Sequence, residues 1–331
     1  MFNNHNVSNH LICTDDEQII INFALRYFPL EIYKGTDEKR LMSIGQKIKD
    51  YVLFTKFRLS FSVIISALSG FLFAGGGTGL EVFYLLVGGI LVTAASNGTN
   101  QIIERKLDIL MNRTNKRPLP QGNMSVTEAV IVVVMSLAVG SWMLYQLNLN
   151  SMILGLTAYV SYAFVYTPLK RVTPWSVIVG AFPGAIPPML GAIAVTNEFG
   201  PMPGALFFVQ FVWQLPHFWA IAWISHEDYQ KAGFYLLPSS SGKSKTSAFR
   251  IALSALMLIP FTLFPWVLDM VGIFSVLAAS VLGLFFFLIA YKLYLTLEDK
   301  DAKKLMFASF IYLPLIQFVY VIDKYFFFTN T

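Results

Sequence analysis

Residues 80–108 read LEVFYLLVGGILVTAASNGTNQIIERKLD. The first two thirds are almost wholly apolar, and at about 1.5 Å of rise per residue such a helix is long enough to cross about 30 Å of hydrocarbon. The apolar character runs out on N-QII-E-RKL-D, where Asn100, Glu104 and Asp108 fall four apart. In a helix that spacing stacks three oxygen-bearing side chains along one face, about 6 Å apart in rise. Ionisable groups at the mouth of a membrane helix are costly and mark a functional site by default.

The rest of the chain extends this reading. Of 331 residues, 56% are hydrophobic and 13% charged, and the mean hydropathy is +0.60, more apolar than a soluble domain exposes. The spacing of apolar runs predicts an all-α, polytopic membrane protein with nine spans: 59–73, 80–103, 126–147, 152–166, 175–195, 204–224, 251–268, 271–295 and 305–328. The fourth is the weakest, set off from the third only by polar residues 148–151. Lys and Arg gather in alternate connections: before Arg58, after span two, at Lys170 and Arg171, after span six, and around the end of span eight. Positive residues collect on the cytoplasmic side, which predicts a cytoplasmic N-terminus and a C-terminus outside. The basic excess, 24 Lys and Arg against 19 Asp and Glu, is explained by this bias, and no basic run interleaved with aromatics points to nucleic acid.

Residues 1–50 read as a polar cytoplasmic tail and residues 51–331 as the membrane domain. The tail has neither the basic start and apolar core of a secretory signal nor the acid-poor composition of a transit peptide. Residues 42–54 alternate apolar and charged positions at helical spacing, as an interfacial helix does, with Lys56 and Arg58 as headgroup anchors; a solvated leader is the plainer alternative. A lone cysteine, Cys13, excludes an internal disulfide.

Two polar clusters carry the chemistry. The first runs from Asn100 through Asp108 to Arg113 and Arg117; the second is His226-Glu227-Asp228-Tyr229 with Lys231. Hard divalent cations such as Mg²⁺ take oxygen ligands and share them with substrate phosphates. Two carboxylates and an amide on one face suit that cation, and nearby Arg and Lys suit the remaining phosphate oxygens. The competing reading of the first cluster is a solvated loop whose acids and bases pair at i, i+4. Two such loops, each following an even-numbered span, favour one phosphate-bearing ligand held between them.

These residues resemble the UbiA-type intramembrane prenyltransferases and, within them, the protoheme IX farnesyltransferases. Residues 100–119, NQIIERKLDILMNRTNKRPL, look like that family's N-x3-D-x3-D-x2-M-x-R-T-x2-R-P-L signature, and YTPLKRVTP (166–174), GAIPPMLG (184–191), LPHFWAIA (215–222) and DYQKAGFYLLP (228–238) look like family blocks in family order. The resemblance covers about residues 51–325. It implies nine helices around a central cavity, in a bacterial cytoplasmic membrane, with Mg²⁺ as cofactor. It further implies farnesyl diphosphate and haem b as substrates, haem O as product, and haem A synthase as a candidate partner. Asn100, Glu104, Asp108 and Asp228 match its metal and catalytic positions. Lys56, Arg58, Arg113, Arg117, Lys170, Arg171, Tyr229 and Lys231 are the candidate substrate contacts, and His217 is a candidate for orienting haem or else a histidine bonded to a neighbouring helix. Departures from the pattern are Glu104 in place of Asp, Lys106 in place of a further Asp, Ser225 and Glu227 in place of bases, and Phe57 within a Lys-Pro-Arg.

Two other activities compete. A prenyltransferase acting on an aromatic or quinone-precursor acceptor shares the metal motifs. A secondary transporter places acids at mid-membrane in two repeats, whereas these acids stand at one interface.

Overall fold

The computed structural model describes residues 37–77 and 79–328. Cys13 and the tail before residue 37 lie outside the described residues. The chain divides into a unit of residues 1–48 and a larger one of 49–331. Described residues are helical, with no strand among them: α1 (Asp37–Thr55), α2 (Phe57–Phe73), α3 (Gly79–Asp108), α4 (Val126–Tyr145), α5 (Leu149–Val160), α6 (Ser176–Thr196), α7 (Pro201–Ile224), the short α8 (His226–Lys231), α9 (Lys245–Thr262), α10 (Ile273–Thr296) and α11 (Asp299–Ile322). Eight of the helical stretches are long and apolar enough to cross a membrane, and a ninth span exists if residues 44–55 and 60–73, which meet at 55°, count as one. The protein is a multi-pass membrane protein.

Local chemistry sets the boundaries. Ser125 accepts from Glu128 N at 3.0 Å while Glu128 Oε2 accepts from Ser125 N at 3.4 Å, a reciprocal cap that starts α4. Asn148 ends the ambiguity of the fourth span: its Oδ1 accepts from Ser151 N at 2.8 Å and starts α5. α5 then widens through a π-helical turn, Ser161–Tyr166, ahead of Pro168.

Within the larger unit, consecutive helices are neighbours from α2 through α7. α9, α10 and α11 follow, with α9 and α11 also on α7, and α11 returns to α2. The bundle therefore closes on itself. One apolar core fills the half formed by α2 to α6 with the end of α1, around Phe54, Phe71, Leu144 and Ile193. A second fills the half of α7, α9, α10 and α11, around Trp223, Leu258, Phe286 and Tyr320.

The block GAIPPMLG packs α6 against α2 in its own half and, through Gly184, bonds it to the other half. A Cβ on Gly70 of α2 would stand 2.0 Å from Pro188 O, and one on Gly191 of α6 would stand 1.9 Å from Ala67 O. The two backbones touch, which only glycine permits there. Pro188 has no N–H to return to the carbonyl of Gly184, four residues before it. Gln210 Nε2 donates to that oxygen at 2.7 Å, and Gln317 Nε2 donates to Gln210 Oε1 at 2.9 Å. This relay satisfies in an apolar interior a group that would otherwise stay bare.

Candidate active site

α3 is thirty residues long, about 45 Å, so about ten residues exceed the hydrocarbon thickness. Those last residues carry Asn100, Glu104 and Asp108, which are 1%, 4% and 0% exposed. Their partners come from other segments. Asn100 Nδ2 donates to Thr167 Oγ1 at 3.1 Å. Glu104 Oε1 pairs with Lys170 Nζ at 2.5 Å. Both Asp108 oxygens accept from Arg117 Nη1, at 2.8 and 2.7 Å. The solvated i, i+4 reading is therefore excluded for these three.

The second cluster closes over the first. Arg113 N donates to Asp228 Oδ2 at 3.0 Å, and Arg113 Nη2 donates to Tyr229 OH at 3.1 Å. Lys231 Nζ donates to Asp228 Oδ1 at 3.0 Å. Tyr235 N donates to Lys170 O at 2.9 Å, joining the segment after α8 to the basic turn after α5. Lys170 Nζ lies 5.0 Å from the centre of the Tyr166 ring and 5.5 Å from that of Phe234, close enough for cation–π attraction.

Lys56 stands in the break between α1 and α2 with a left-handed backbone, φ 50° and ψ 50°. Its charge is felt with those of Arg117, Lys170, Glu104 and Arg113. The structure thus brings Lys56, Arg113, Arg117, Lys170, Asn100, Glu104, Asp108, Asp228, Tyr229 and Lys231 to one mouth of the bundle. Five are basic and three are acidic, leaving a positive excess. Burial pushes the Lys170 ammonium below the usual lysine range, Glu104 offsetting part of the effect. Desolvation pushes Asp228 up, but the Lys231 ammonium and the backbone N–H groups of Arg113 and Asn112 outweigh it and hold the carboxyl below the usual aspartate range.

Arg171 and His217 stand apart from this group. Arg171 is exposed, with no ion pair among the described residues. The Arg58 side chain lies outside the described part. His217 is buried in α7, stacked on Trp213 with ring centres 4.7 Å apart, and its Nδ1 lies 2.6 Å from Ser309 Oγ on α11. Ser309 Oγ gives its own hydrogen to Met306 O at 2.5 Å, so it accepts from Nδ1–H and the lone pair of His217 is on Nε2.

Sequence reading missed Asn97 and Gln101, which cap α1 where it breaks. Asn97 Nδ2 donates to Thr55 O at 3.4 Å, and Gln101 Nε2 donates to Phe54 O at 2.6 Å. The signal available was a run of amides, N-G-T-N-Q, inside a span with no loop to account for it.

A hard cation fits this donor set of three carboxylates and one amide oxygen. As the side chains stand, each carboxylate is held by a base, and no three His, Cys, Asp or Glu among the described residues form a ready metal cage.

Known proteins match the chain as follows. The model of the UbiA prenyltransferase family matches residues 63–313. A protoheme IX farnesyltransferase of Cytophaga hutchinsonii is 45% identical over 284 residues, covering 85% of this chain and 99% of that protein. One of Flavobacterium psychrophilum is 44% identical over 294 residues, covering 86% and 97%. Among solved structures, a digeranylgeranylglyceryl phosphate synthase superposes with a TM-score of 0.69 at 17% identity, covering 84% of this chain and 99% of that one. A UbiA homologue from Archaeoglobus fulgidus bound to GPP and Mg²⁺ gives 0.59 at 17% identity, covering 82% and 99%. A family match over most of the length, with relatives above 40% identity aligned nearly end to end, makes this chain a member of the UbiA prenyltransferase family.

Proposed function

We propose that the protein transfers the farnesyl group of farnesyl diphosphate to a vinyl group of haem b, releasing diphosphate and giving haem O. The observation that carries the reading is the excess of bases over acids, five to three, gathered at the polar mouth of an apolar ring around the buried Lys170. An isoprenoid diphosphate has that same division, an anionic head on an apolar tail. Arg113, Arg117, Lys170, Lys56 and Lys231 hold the head, and donors fixed in a water-poor site stabilise the charge that builds as the carbon–oxygen bond breaks. Asn100, Glu104, Asp108 and Asp228 would hold Mg²⁺, which offsets the negative charge of the departing diphosphate. For that the bases exchange carboxylate partners for phosphate oxygens. The allylic carbon left behind is attacked by the vinyl group, and water supplies the hydroxyl of the product. Tyr166 and Phe234, already against a cation, present π faces on the same side. His217 offers its Nε2 lone pair to the acceptor's iron. The name shared by the close relatives favours haem over a quinone-precursor acceptor.

We place the protein in a bacterial cytoplasmic membrane with the basic mouth inside, Arg171 and Arg58 near the phosphates or headgroups, and haem A synthase as the consumer of the product. The test is incubation of membranes containing the protein with haem b, farnesyl diphosphate and Mg²⁺, with haem O followed by mass spectrometry. Glu104→Gln with Asp108→Asn is expected to lower the rate by about 10²-fold or more, the scale of losing a fixed electrostatic group. No product from an active preparation, or a fully active double variant, would sink the assignment.

A further inference from the structure

α6 and α9 stand on either side of α7 and leave a groove between them. It encloses about 630 Å³ and is open along one side, within the ~300–1,000 Å³ of small-ligand sites. Leu215 and Trp219 of α7 form its floor, Trp175 at the start of α6 forms one wall, and Leu253 and Met257 of α9 form the other. Trp175, Leu253 and Met257 are exposed, so in a bilayer the groove opens to lipid. From Arg250 to Phe261 it follows eleven residues of helix, about 16 Å, half the ~30 Å hydrocarbon thickness and so the depth of one leaflet.

The chemistry changes at one end. Arg250 is the one charged residue lining the groove, beside Ser239 and Ser240. Its Nη1 donates to Pro238 O, which leaves most of its five N–H donors for something else. No carboxylate pairs with it among the described residues. Lys243 nearby is already paired with Asp299 at 2.8 Å, and Lys245 lies over Tyr294. Trp175, 67% exposed at this end, is the residue type that settles at headgroup level.

We infer that this groove is a site for one anionic glycerophospholipid, its phosphate on Arg250 and one acyl chain along α7 between α6 and α9. An apolar trench one leaflet deep that ends in an unpaired guanidinium complements an anionic lipid in shape and in charge. The site is separate from the prenyl-transfer mouth and needs no catalytic turnover to be seen.

The experiment is native mass spectrometry of the purified full-length protein, delipidated in detergent and offered phosphatidylglycerol and phosphatidylcholine at equal concentration. Phosphatidylglycerol is expected to be retained about fivefold over phosphatidylcholine, the preference one basic group near an anionic surface provides. Excess inorganic phosphate is expected not to displace it. Arg250→Gln should abolish the preference, Arg250→Lys should keep it, and Leu253→Trp, which fills the trench and spares the guanidinium, should lose both lipids. Equal retention by the unaltered protein, an unchanged preference in Arg250→Gln, or displacement by inorganic phosphate would each overturn the proposal. So would a dimer that Leu253→Trp dissolves, which would assign the groove to a second copy of the chain.

Discussion

Lys170 is the residue on which the mouth turns, because it is buried against Glu104 and two aromatic rings at once. Its depressed pKa fixes the sign of a pH effect. The charged form binds diphosphate and is present below the lowered value; it is lost as pH rises through that value, still below the ~10.4 of an ordinary lysine. The KM for farnesyl diphosphate is therefore expected to climb on the alkaline side. In Lys170→Arg, which stays charged throughout, KM should be flat over the same range, whatever the cost in kcat. Initial rates against pH at several diphosphate concentrations decide it. The Asp108 and Arg117 pair, with Nη1 shared between both carboxylate oxygens, has a related consequence. Neutralising Asp108 leaves the half-buried Arg117 guanidinium without its counter-charge, so Asp108→Asn should lose folding stability as well as rate.

At the scale of elements, the crossing of α2 and α6 is the tightest contact. Gly191→Ala would drive a methyl into Ala67 O, backbone against backbone with no flexible side chain to yield, and should cost about 1–3 kcal/mol. It is measurable as a lower thermal midpoint in detergent, whereas Gly204→Ala, whose added Cβ meets nothing within 4 Å, should leave the midpoint near that of the unaltered protein. The sequence made the helices legible because each span is an apolar run bounded by charge, turn residues or proline. It misjudged the ends where helix continues past hydrocarbon. α3 runs to Asp108, five residues beyond the end read from hydropathy at 103, since leaving the apolar phase silences the hydropathy signal without unwinding the helix. The polar residues of the first site could be read from their fourfold spacing, and those of the second from their position after an even-numbered span. Their partners could not. Nothing in the order of residues announces that Lys170 meets Glu104 or that Arg113 N meets Asp228, because those pairings depend on which helix ends the ring brings together. The tautomer of His217 is illegible for the same reason, being set by Ser309 ninety-two positions away.

For the whole molecule, the decisive contacts are those where the ring of helices meets itself, at the end opposite the basic mouth. Asp323 Oδ2 accepts from Ser275 N at 2.8 Å and so caps the start of α10. Lys324 Nζ donates to Phe73 O at 2.8 Å and so caps the end of α2. Asp323→Ala should cost about 0.5–2 kcal/mol, the usual worth of such a cap, as a drop in thermal midpoint. The KM for farnesyl diphosphate should hardly change, because the lesion is a full span away from the phosphate-binding bases.

Two neighbouring side chains near residue 323 thus fasten helices made some 50 and 250 positions earlier. Since ribosomes deliver the chain into the bilayer in order, α2 must wait with a bare carbonyl while every other span is inserted. The enclosure latches only when translation has passed α11. A polypeptide stopped short of that point keeps an open seam between α2 and the C-terminal helix.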